Sequence, residues 1–282
     1  MNTDLIKSVV EKQMNTTVSK IRAVGKGASG SVYLVKITTE PYEIAVKKSK
    51  FYDAICKEKD MLDFLSSLGA KVSMTEDSIK IAGATLRSTE FTVIGDMIEA
   101  GSYLAAALMT EGKVTVSGIA PLELVSFIDV ISDMGYRSSV GDSSITVDSY
   151  KNGKALKSVR INAAPYPGFP TDLQPLMAPL LSRCGGIIAD SVWPERFGYL
   201  ATLGQMGLRY MSEYGSAKIE KSSLTPATVA APDLRGGMAL IIAALSAKGT
   251  SEILSPEIIL RGYDHLEEKL SSLGAEVKLV NL

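Results

Sequence analysis

The sequence predicts an α/β protein built from repeats, and three observations carry that prediction. Three apolar stretches each begin at an aspartate, at Asp96, Asp172 and Asp233. Each stretch is followed by a short strand-like run and then by an amphipathic stretch that ends at a glycine. After that glycine the hydrophobic period changes from that of a helix to that of a strand. We therefore expect βαβαββ-like units around buried helices over residues 88–282, preceded by a small β-sheet with one helix.

The composition is that of a globular chain with a sizeable core. The 282 residues are 46% hydrophobic and 22% charged, and the formal net charge is −1. The sequence shows no dense Lys/Arg stripe and no apolar run of about 18 residues, so we expect neither a nucleic-acid nor a membrane partner. Cys56 and Cys184 lack metal-ligand spacing, and His265 is the single histidine. We therefore predict no metal site, no cofactor and a cytoplasmic location.

Each predicted unit contains one buried helix and one outer helix. The stretches "DMIEAGSYLAAALMTEG", "DLQPLMAPLLSRCGG" and "DLRGGMALIIAALSAKG" are apolar nearly all round, as expected of helices covered on every side. The amphipathic helices end at Gly135, Gly207 and Gly274, and a fourth copy ends at Gly69, with a spacing of about 70 residues. Glycine is the usual residue just beyond a helix C-terminus.

The stretch "PYPGFPTDLQ" at 165–174 places a proline-rich arm directly before the second buried helix. Proline fixes φ, so the arm delivers the helix start to a defined place. With Asp172 as the N-cap, Pro175 falls in the first turn, where proline is tolerated. We therefore expect Asp172 to begin this helix. An aspartate N-cap usually only accepts backbone N–H bonds, so a structural role stands beside a catalytic one.

Three arginines stand near the starts of predicted elements, namely Arg196, Arg235 and Arg261. A guanidinium in the first turn of a buried helix opposes the helix dipole and loses hydration unless an anion binds it. Taken singly, each arginine is typical of a structural salt bridge. Taken together beside Asp172, the three predict a site for an anionic ligand.

Several motifs resemble those of one family, both in their order along the chain and in their spacing. The segments "FPTD", "DLR" and "RGY", within "PYPGFPTDLQ", "APDLRGGMALIIAAL" and "ILRGYDHLEEKLSSLGAEV", are similar to the C-terminal half of UDP-N-acetylglucosamine 1-carboxyvinyltransferases, which are enolpyruvyl transferases. The resemblance covers about residues 61–282. The related 5-enolpyruvylshikimate-3-phosphate synthases share the repeat fold but match less well.

The resemblance implies transfer of an enolpyruvyl group from phosphoenolpyruvate to the 3-hydroxyl of UDP-N-acetylglucosamine, a step of peptidoglycan precursor synthesis. By resemblance, Asp172 meets that hydroxyl and is a candidate general base, while Arg261 contacts the phosphoenolpyruvate anion. The remaining matched positions bind substrate, two of them on the nucleotide side, and they are Val192, Trp193, Arg196, Asp233 and Arg235.

The resemblance also implies groups that this sequence does not contain. The family carries a Lys-Asn pair, a mobile loop and further arginines on a second domain, so we expect only half of the active site here. A partner chain or self-association would complete it. The alternative is a non-catalytic sugar-nucleotide-binding or scaffold protein formed by fusion.

Residues 19–60 resemble the beginning of a kinase-like, aminoglycoside-type phosphotransferase. Gly25, Gly27 and Gly30 fit a glycine-rich loop between two strand-like runs, Lys47 follows on a third, and Glu58 is placed to pair with it. These five residues are candidates for nucleotide binding. No segment like H-R-D or D-F-G follows, so we expect no kinase catalysis. A twisted three-stranded sheet with a glycine turn explains the same pattern.

These resemblances predict three segments. Residues 1–60 form the kinase-like segment, and residues 61–87 form the last helix and strands of a truncated first transferase domain. Residues 88–282 form the C-terminal-type transferase domain.

Overall fold

The computed structural model describes residues 17–26, 30–38, 43–49, 59–74, 78–149 and 155–280, together with Lys7 and Glu11. The chain divides into two units. The first comprises residues 1–93 with 165–167, and the second comprises residues 94–164 with 168–282.

Within its described residues, the first unit contains an antiparallel sheet and the helix Lys59–Ser67. The sheet order is β1-β2-β3-β5-β4, and a small core forms around Leu62 and Ile79. The elements are β1 (Val18–Lys26), β2 (Gly30–Ile37), β3 (Glu43–Ser49), α1 (Lys59–Ser67), β4 (Lys71–Met74) and β5 (Ser78–Ala82).

The predicted small sheet is present, and it includes strands from both sides of residue 60. In β3, Lys47 lies opposite Ile79 of β5, while Gly25 of β1 lies opposite Val32. Gly30 is the first residue of β2. Gly27, Glu58 and Cys56 lie outside the described residues. The kinase-like interpretation and the three segment boundaries stay predictions.

The second unit repeats a pattern of buried helix, strand and outer helix. Its strands form a three-stranded sheet (β6-β8-β7), a four-stranded sheet (β11-β12-β10-β9) and a parallel pair (β13-β14). The elements are α2 (Met97–Met109), β6 (Lys113–Ser117), α3 (Val125–Met134), β7 (Arg137–Val140), β8 (Ser144–Asp148), β9 (Val159–Ala163), α4 (Gln174–Leu181), β10 (Gly186–Asp190), α5 (Tyr199–Gln205), β11 (Arg209–Glu213), β12 (Ser216–Glu220), β13 (Thr228–Ala230), α6 (Leu234–Ser246), β14 (Glu252–Leu254), α7 (Glu257–Leu260) and α8 (Leu266–Ser272).

The three apolar helices α2, α4 and α6 pack against one another in the core, as predicted. Every residue of α4 is buried. A Cβ at Gly101 of α2 would lie 2.6 Å from the Leu173 side chain. The glycine therefore leaves the room in which Leu173, the residue before α4, packs on α2. Close packing therefore fixes the position of the turn that contains Asp172.

The predicted helix stops are confirmed. Gly69, Gly135, Gly207 and Gly274 have φ of +100°, +102°, +89° and +95°, a region that favours glycine. The strand predicted after Gly274 is wrong, because residues 275–280 form no strand. A period of two does not make a strand by itself, since the backbone N–H and C=O groups also need a neighbouring strand.

Candidate active site

Two of the three repeat aspartates cap helices. Asp96 Oδ1 accepts hydrogen bonds from the backbone N–H groups of Ile98 (2.7 Å) and Glu99 (3.3 Å) at the start of α2. Asp233 Oδ1 accepts from the N–H groups of Arg235 (3.0 Å) and Gly236 (2.8 Å) at the start of α6. The predicted helix starts at these positions are confirmed.

The predicted helix start at Asp172 is wrong. Helix α4 begins at Gln174, and its N-cap is Leu173. A capping aspartate accepts from the residues two and three positions ahead. At Asp172 those donors would be Gln174, whose N–H bonds to the Thr171 carbonyl at 3.3 Å, and Pro175, which has no N–H. Pro175 is tolerated in the first turn, but it removes the donor that the cap needs.

The Asp172 carboxylate instead binds two guanidinium groups. Arg196 Nη1 lies 2.5 Å from Asp172 Oδ1. Arg235 donates from Nε (3.3 Å) and Nη2 (3.2 Å) to Asp172 Oδ2. The arginine side chains are only 19% and 13% exposed, while Asp172 is 38% exposed. The site is therefore a carboxylate that faces solvent between two largely covered cations.

A second, buried carboxylate stands behind this pair. Asp190 at the end of β10 is 2% exposed, and its Oδ2 accepts a hydrogen bond from Thr171 Oγ1 at 2.5 Å. Its Oδ1 accepts from the backbone N–H groups of Val192 (2.9 Å) and Trp193 (2.8 Å). Arg196 Nη1 also donates to Thr171 Oγ1 at 3.3 Å, so the two carboxylates are linked through Thr171 and Arg196.

Tyr263 continues the network on the other side. Its hydroxyl lies 3.4 Å from Arg235 Nη1 and 2.8 Å from Ser102 Oγ of the buried helix α2. The Arg235 guanidinium also lies 5.8 Å from the centre of the Tyr263 ring. Burial raises the pKa of Tyr263, although Ser102 and Arg235 oppose that rise. Tyr263 therefore remains a neutral phenol that holds Arg235 in place.

The electrostatics keep Asp172 ionised. Burial by itself would raise the pKa of Asp172, but the hydrogen bonds and charges of Arg196 and Arg235 bring it below its ordinary value of 3.8. The pKa of Arg235 is raised, because Tyr263 and Asp172 outweigh the effect of burial. An ionised carboxylate with a low pKa accepts a hydrogen bond well and is a weak base.

Val192 and Trp193 lie in the turn after β10, directly beside this network. Their side chains are 37% and 57% exposed, although their backbone N–H groups are held by Asp190. The Arg196 guanidinium lies 5.2 Å from the centre of the Trp193 ring, within cation–π range. The turn therefore offers an aromatic surface next to the arginine that binds Asp172.

Of the three arginines predicted for the site, Arg261 is the one that the network does not include. Its side chain is exposed, and no hydrogen bond or ion pair to it exists within the described part of the chain. It follows α7, and a Cβ on its neighbour Gly262 would meet the Leu234 side chain at 2.8 Å. The turn that carries Arg261 therefore packs on the first residue of α6, one position before Arg235.

The charges of the linked side chains balance. Asp172 and Asp190 carry two negative charges, and Arg196 and Arg235 carry two positive charges. The linked side chains therefore carry no excess positive charge for an incoming anion.

Sequence reasoning missed four members of the network. Thr171 stands within the "FPTD" motif and Asp190 ends a strand-like run, so both were visible but had no distinctive spacing. Ser102 lies on α2 and Tyr263 lies 161 residues away in the turn after α7, so only tertiary packing joins them. Among the described residues, no group of three His, Cys, Asp or Glu side chains could hold a metal ion. None of the described helices is long and apolar enough to cross a membrane.

Similar curated proteins are described as carboxyvinyltransferases. UDP-N-acetylglucosamine 1-carboxyvinyltransferase 2 of Clostridium acetobutylicum is 36% identical over 278 residues, which cover 97% of this chain and 65% of that protein. UDP-N-acetylglucosamine 1-carboxyvinyltransferase 3 of Caldanaerobacter subterraneus subsp. tengcongensis is 39% identical over 259 residues, which cover 90% of this chain and 60% of that protein. The chain thus spans somewhat under two thirds of the length of these relatives.

A solved structure has the same fold. The enolpyruvyl transferase NikO from Streptomyces tendae superimposes with a TM-score of 0.70 at 27% identity, over 78% of this chain and 53% of that chain. Residues 31–270 match the family described as EPSP synthase (3-phosphoshikimate 1-carboxyvinyltransferase), and this match includes part of the segment that resembles a kinase. The chain belongs to this EPSP synthase family of carboxyvinyltransferases.

Proposed function

We propose that this chain takes part in enolpyruvyl transfer from phosphoenolpyruvate to the 3-hydroxyl of UDP-N-acetylglucosamine. The single observation that carries the proposal is Asp172, a solvent-facing carboxylate held between Arg196 and Arg235 at the start of a buried helix. The family membership and the names of the relatives supply the class of reaction and the acceptor.

The geometry suits Asp172 to orient the acceptor hydroxyl. A carboxylate offers about four lone-pair positions. Arg196 takes one on Oδ1, and Arg235 takes two on Oδ2, which leaves acceptor capacity on Oδ1. The substrate hydroxyl would donate its hydrogen bond there and be held towards the enolpyruvyl donor. The low pKa of Asp172 favours this role over strong general-base catalysis.

The neighbouring residues bind the nucleotide and the phosphoenolpyruvate anion. Val192 and Trp193 offer the exposed surface for the nucleotide, and Arg196 lies under Trp193. Arg261 is the exposed cation for the phosphoenolpyruvate anion. Asp233 fixes the backbone of Arg235 through its cap bond, so its contribution to substrate binding is through that arginine.

The location and the partner follow from the substrates. Sugar nucleotides and phosphoenolpyruvate are metabolites of the cytoplasm, so we place the reaction there. Transition-state stabilisation in such reactions uses groups that converge from several sides. A partner chain or a second copy would supply the groups that the resemblance assigns to the other domain.

The test is phosphate release from phosphoenolpyruvate with the purified chain, measured together with UDP-N-acetylglucosamine binding by calorimetry. We expect binding, with little or no release because only half of the active site is expected in this chain, and any release should need both substrates and disappear in Asp172→Asn. Binding that is equal in Asp172→Asn and the wild type would contradict the role given to Asp172 and favour the non-catalytic sugar-nucleotide-binding alternative. Neither binding nor release would contradict both proposals. Arg209→Met is the control, because Arg209 lies on β11 and is 67% exposed.

A further inference from the structure

Asp190 is a buried carboxylate whose partners all belong to the candidate site. It is the last residue of β10, and it is 2% exposed. One oxygen accepts from Thr171 Oγ1, and the other accepts from two successive backbone N–H groups of the Val192–Trp193 turn. An ionised side chain so deeply buried is costly unless each oxygen is paired, and here both oxygens are.

We propose that Asp190 is a positioning residue that orients Arg196 against Asp172 through the hydroxyl of Thr171. The same carboxylate also holds the backbone of the turn that carries Trp193. One buried group therefore positions both Arg196 and Trp193. The proposal deepens the proposed function and rests on it for the identity of the substrate. The titration that decides it is made without substrate, so the proposal and the proposed function can fail separately.

The argument depends on the direction of the Thr171 hydrogen bond. An ionised carboxylate only accepts, so the Thr171 hydroxyl must donate its one hydrogen to Asp190. Its lone pairs are then directed to other donors, and Arg196 Nη1 lies 3.3 Å away. Arg196 therefore has two acceptors on neighbouring residues, Thr171 and Asp172, which hold its planar group in one orientation.

A neutral amide at position 190 would reverse this direction. In Asp190→Asn the side-chain oxygen can keep the two backbone N–H bonds, which leaves the NH₂ group facing Thr171. The amide would then donate to the hydroxyl, and the hydroxyl hydrogen would turn away from position 190. Thr171 would cease to be a well-placed acceptor for Arg196, although the turn itself would keep its bonds.

The experiment is an NMR titration of the Asp172 carboxyl carbon in the full chain, with Thr171→Val, Thr171→Ser and Asp190→Asn. We expect the pKa of Asp172 to rise by about half a unit in Thr171→Val, because Arg196 is less well held, and to stay unchanged in Thr171→Ser. Asp190→Asn should give a similar rise. The sign is diagnostic, since loss of a nearby negative charge by itself would lower the pKa of Asp172.

The outcomes are distinct. An unchanged or lowered pKa of Asp172 in Thr171→Val would overturn the proposal, and Asp190 would then be only the cap of a turn. If Asp190→Asn does not fold, the Thr171→Val and Thr171→Ser pair still decides. In a second arm, UDP-N-acetylglucosamine should bind about 5-fold more weakly to Thr171→Val than to Thr171→Ser. Absence of binding to every variant would count against the proposed substrate and leave the titration result standing.

Discussion

Helices α4 and α6 follow corresponding aspartates of the repeat, but the two aspartates bind different groups. Asp233 accepts two backbone N–H bonds and caps α6. Among the described residues, no backbone N–H donates to Asp172 at the start of α4, and its carboxylate binds the side chains of Arg196 and Arg235. Asp96 at α2 behaves like Asp233.

The difference follows from one residue. The third position after the aspartate is Gly236 at α6, Glu99 at α2 and Pro175 at α4. The first two donate an N–H to the carboxylate, whereas proline cannot. The comparison teaches that a repeat can convert a structural cap into a site residue by losing a backbone donor, without changing the aspartate.

Arg235 contacts both kinds of aspartate, the helix cap and the site residue. Its backbone N–H donates to Asp233, and its side chain donates to Asp172. Arg235→Met should keep the cap of α6 and remove the ion pair. Since a hydrogen bond to a charged group contributes about 1.5–3 kcal/mol, we expect UDP-N-acetylglucosamine affinity to fall about 10- to 100-fold. Calorimetry measures the affinity, and amide exchange at Gly236 measures the cap. Equal affinity in Arg235→Met and Arg209→Met would contradict this assignment.

Asparagine should substitute for aspartate at position 96 but not at position 172. A cap needs only an oxygen acceptor, so Asp96→Asn should change the free energy of unfolding by a few tenths of a kcal/mol, and Asp96→Ala should cost about 1 kcal/mol. Asp172→Asn leaves two partly covered guanidinium groups without their counter-charge, which should cost about 1–2 kcal/mol. Urea unfolding measures all three variants. A harmless Asp172→Asn would show that the ion pairs contribute nothing to stability.

Asp172 should also make the stability of the fold depend on pH in the acid range. The pKa of Asp172 is lowered in the folded chain, so its ionised form adds stability above its ordinary value of 3.8. This stability is lost as the pH falls from 3.8 through the lower folded value. Between about pH 5.5 and about pH 3, the wild type should therefore lose more unfolding free energy than Asp172→Asn loses. An equal loss in both proteins would mean that Asp172 is not linked to the arginines.

Pro175→Ala should have the smallest effect on stability. It restores the missing N–H, which offers Asp172 a cap bond of about 1 kcal/mol, and it removes a proline whose rigidity contributes about as much. We expect little net change in unfolding free energy but a protected amide at position 175 and a few-fold weaker ligand affinity. Pro179→Ala is the matched control, because Pro179 lies inside α4 and away from the cap. Identical ligand affinities in the two variants would contradict the role given to Pro175.

The sequence predicted the repeat well because its signals are local. Left-handed glycines at Gly135 and Gly207 stop the helices, and the apolar runs after Asp96 and Asp233 are buried helices with those residues as caps. The predicted start of α4 is wrong because Pro175 fits sterically in the first turn but lacks the N–H that a cap at Asp172 needs.

The candidate site was only partly predictable for a different reason. Asp172, Arg196 and Arg235 do lie together, as predicted, although Asp172 and Arg196 lie in two separate loops and Arg235 lies in the first turn of α6. Asp190 and Tyr263 escaped notice because a buried carboxylate and a buried phenol show no sequence spacing, and their partners are set by tertiary packing. The exposed position of Arg261 leaves its role as a prediction.

The central claim is that the turn around Asp172 and Trp193 binds UDP-N-acetylglucosamine, and one titration tests it directly. Trp193 is the single tryptophan of the chain and is 57% exposed, so its fluorescence reports on this turn alone. We predict a saturable change in emission with a dissociation constant on the order of millimolar, and the loss of that change in Arg235→Met but not in Arg209→Met. An emission that stays constant up to saturating sugar nucleotide, or that changes equally in both variants, would contradict the account.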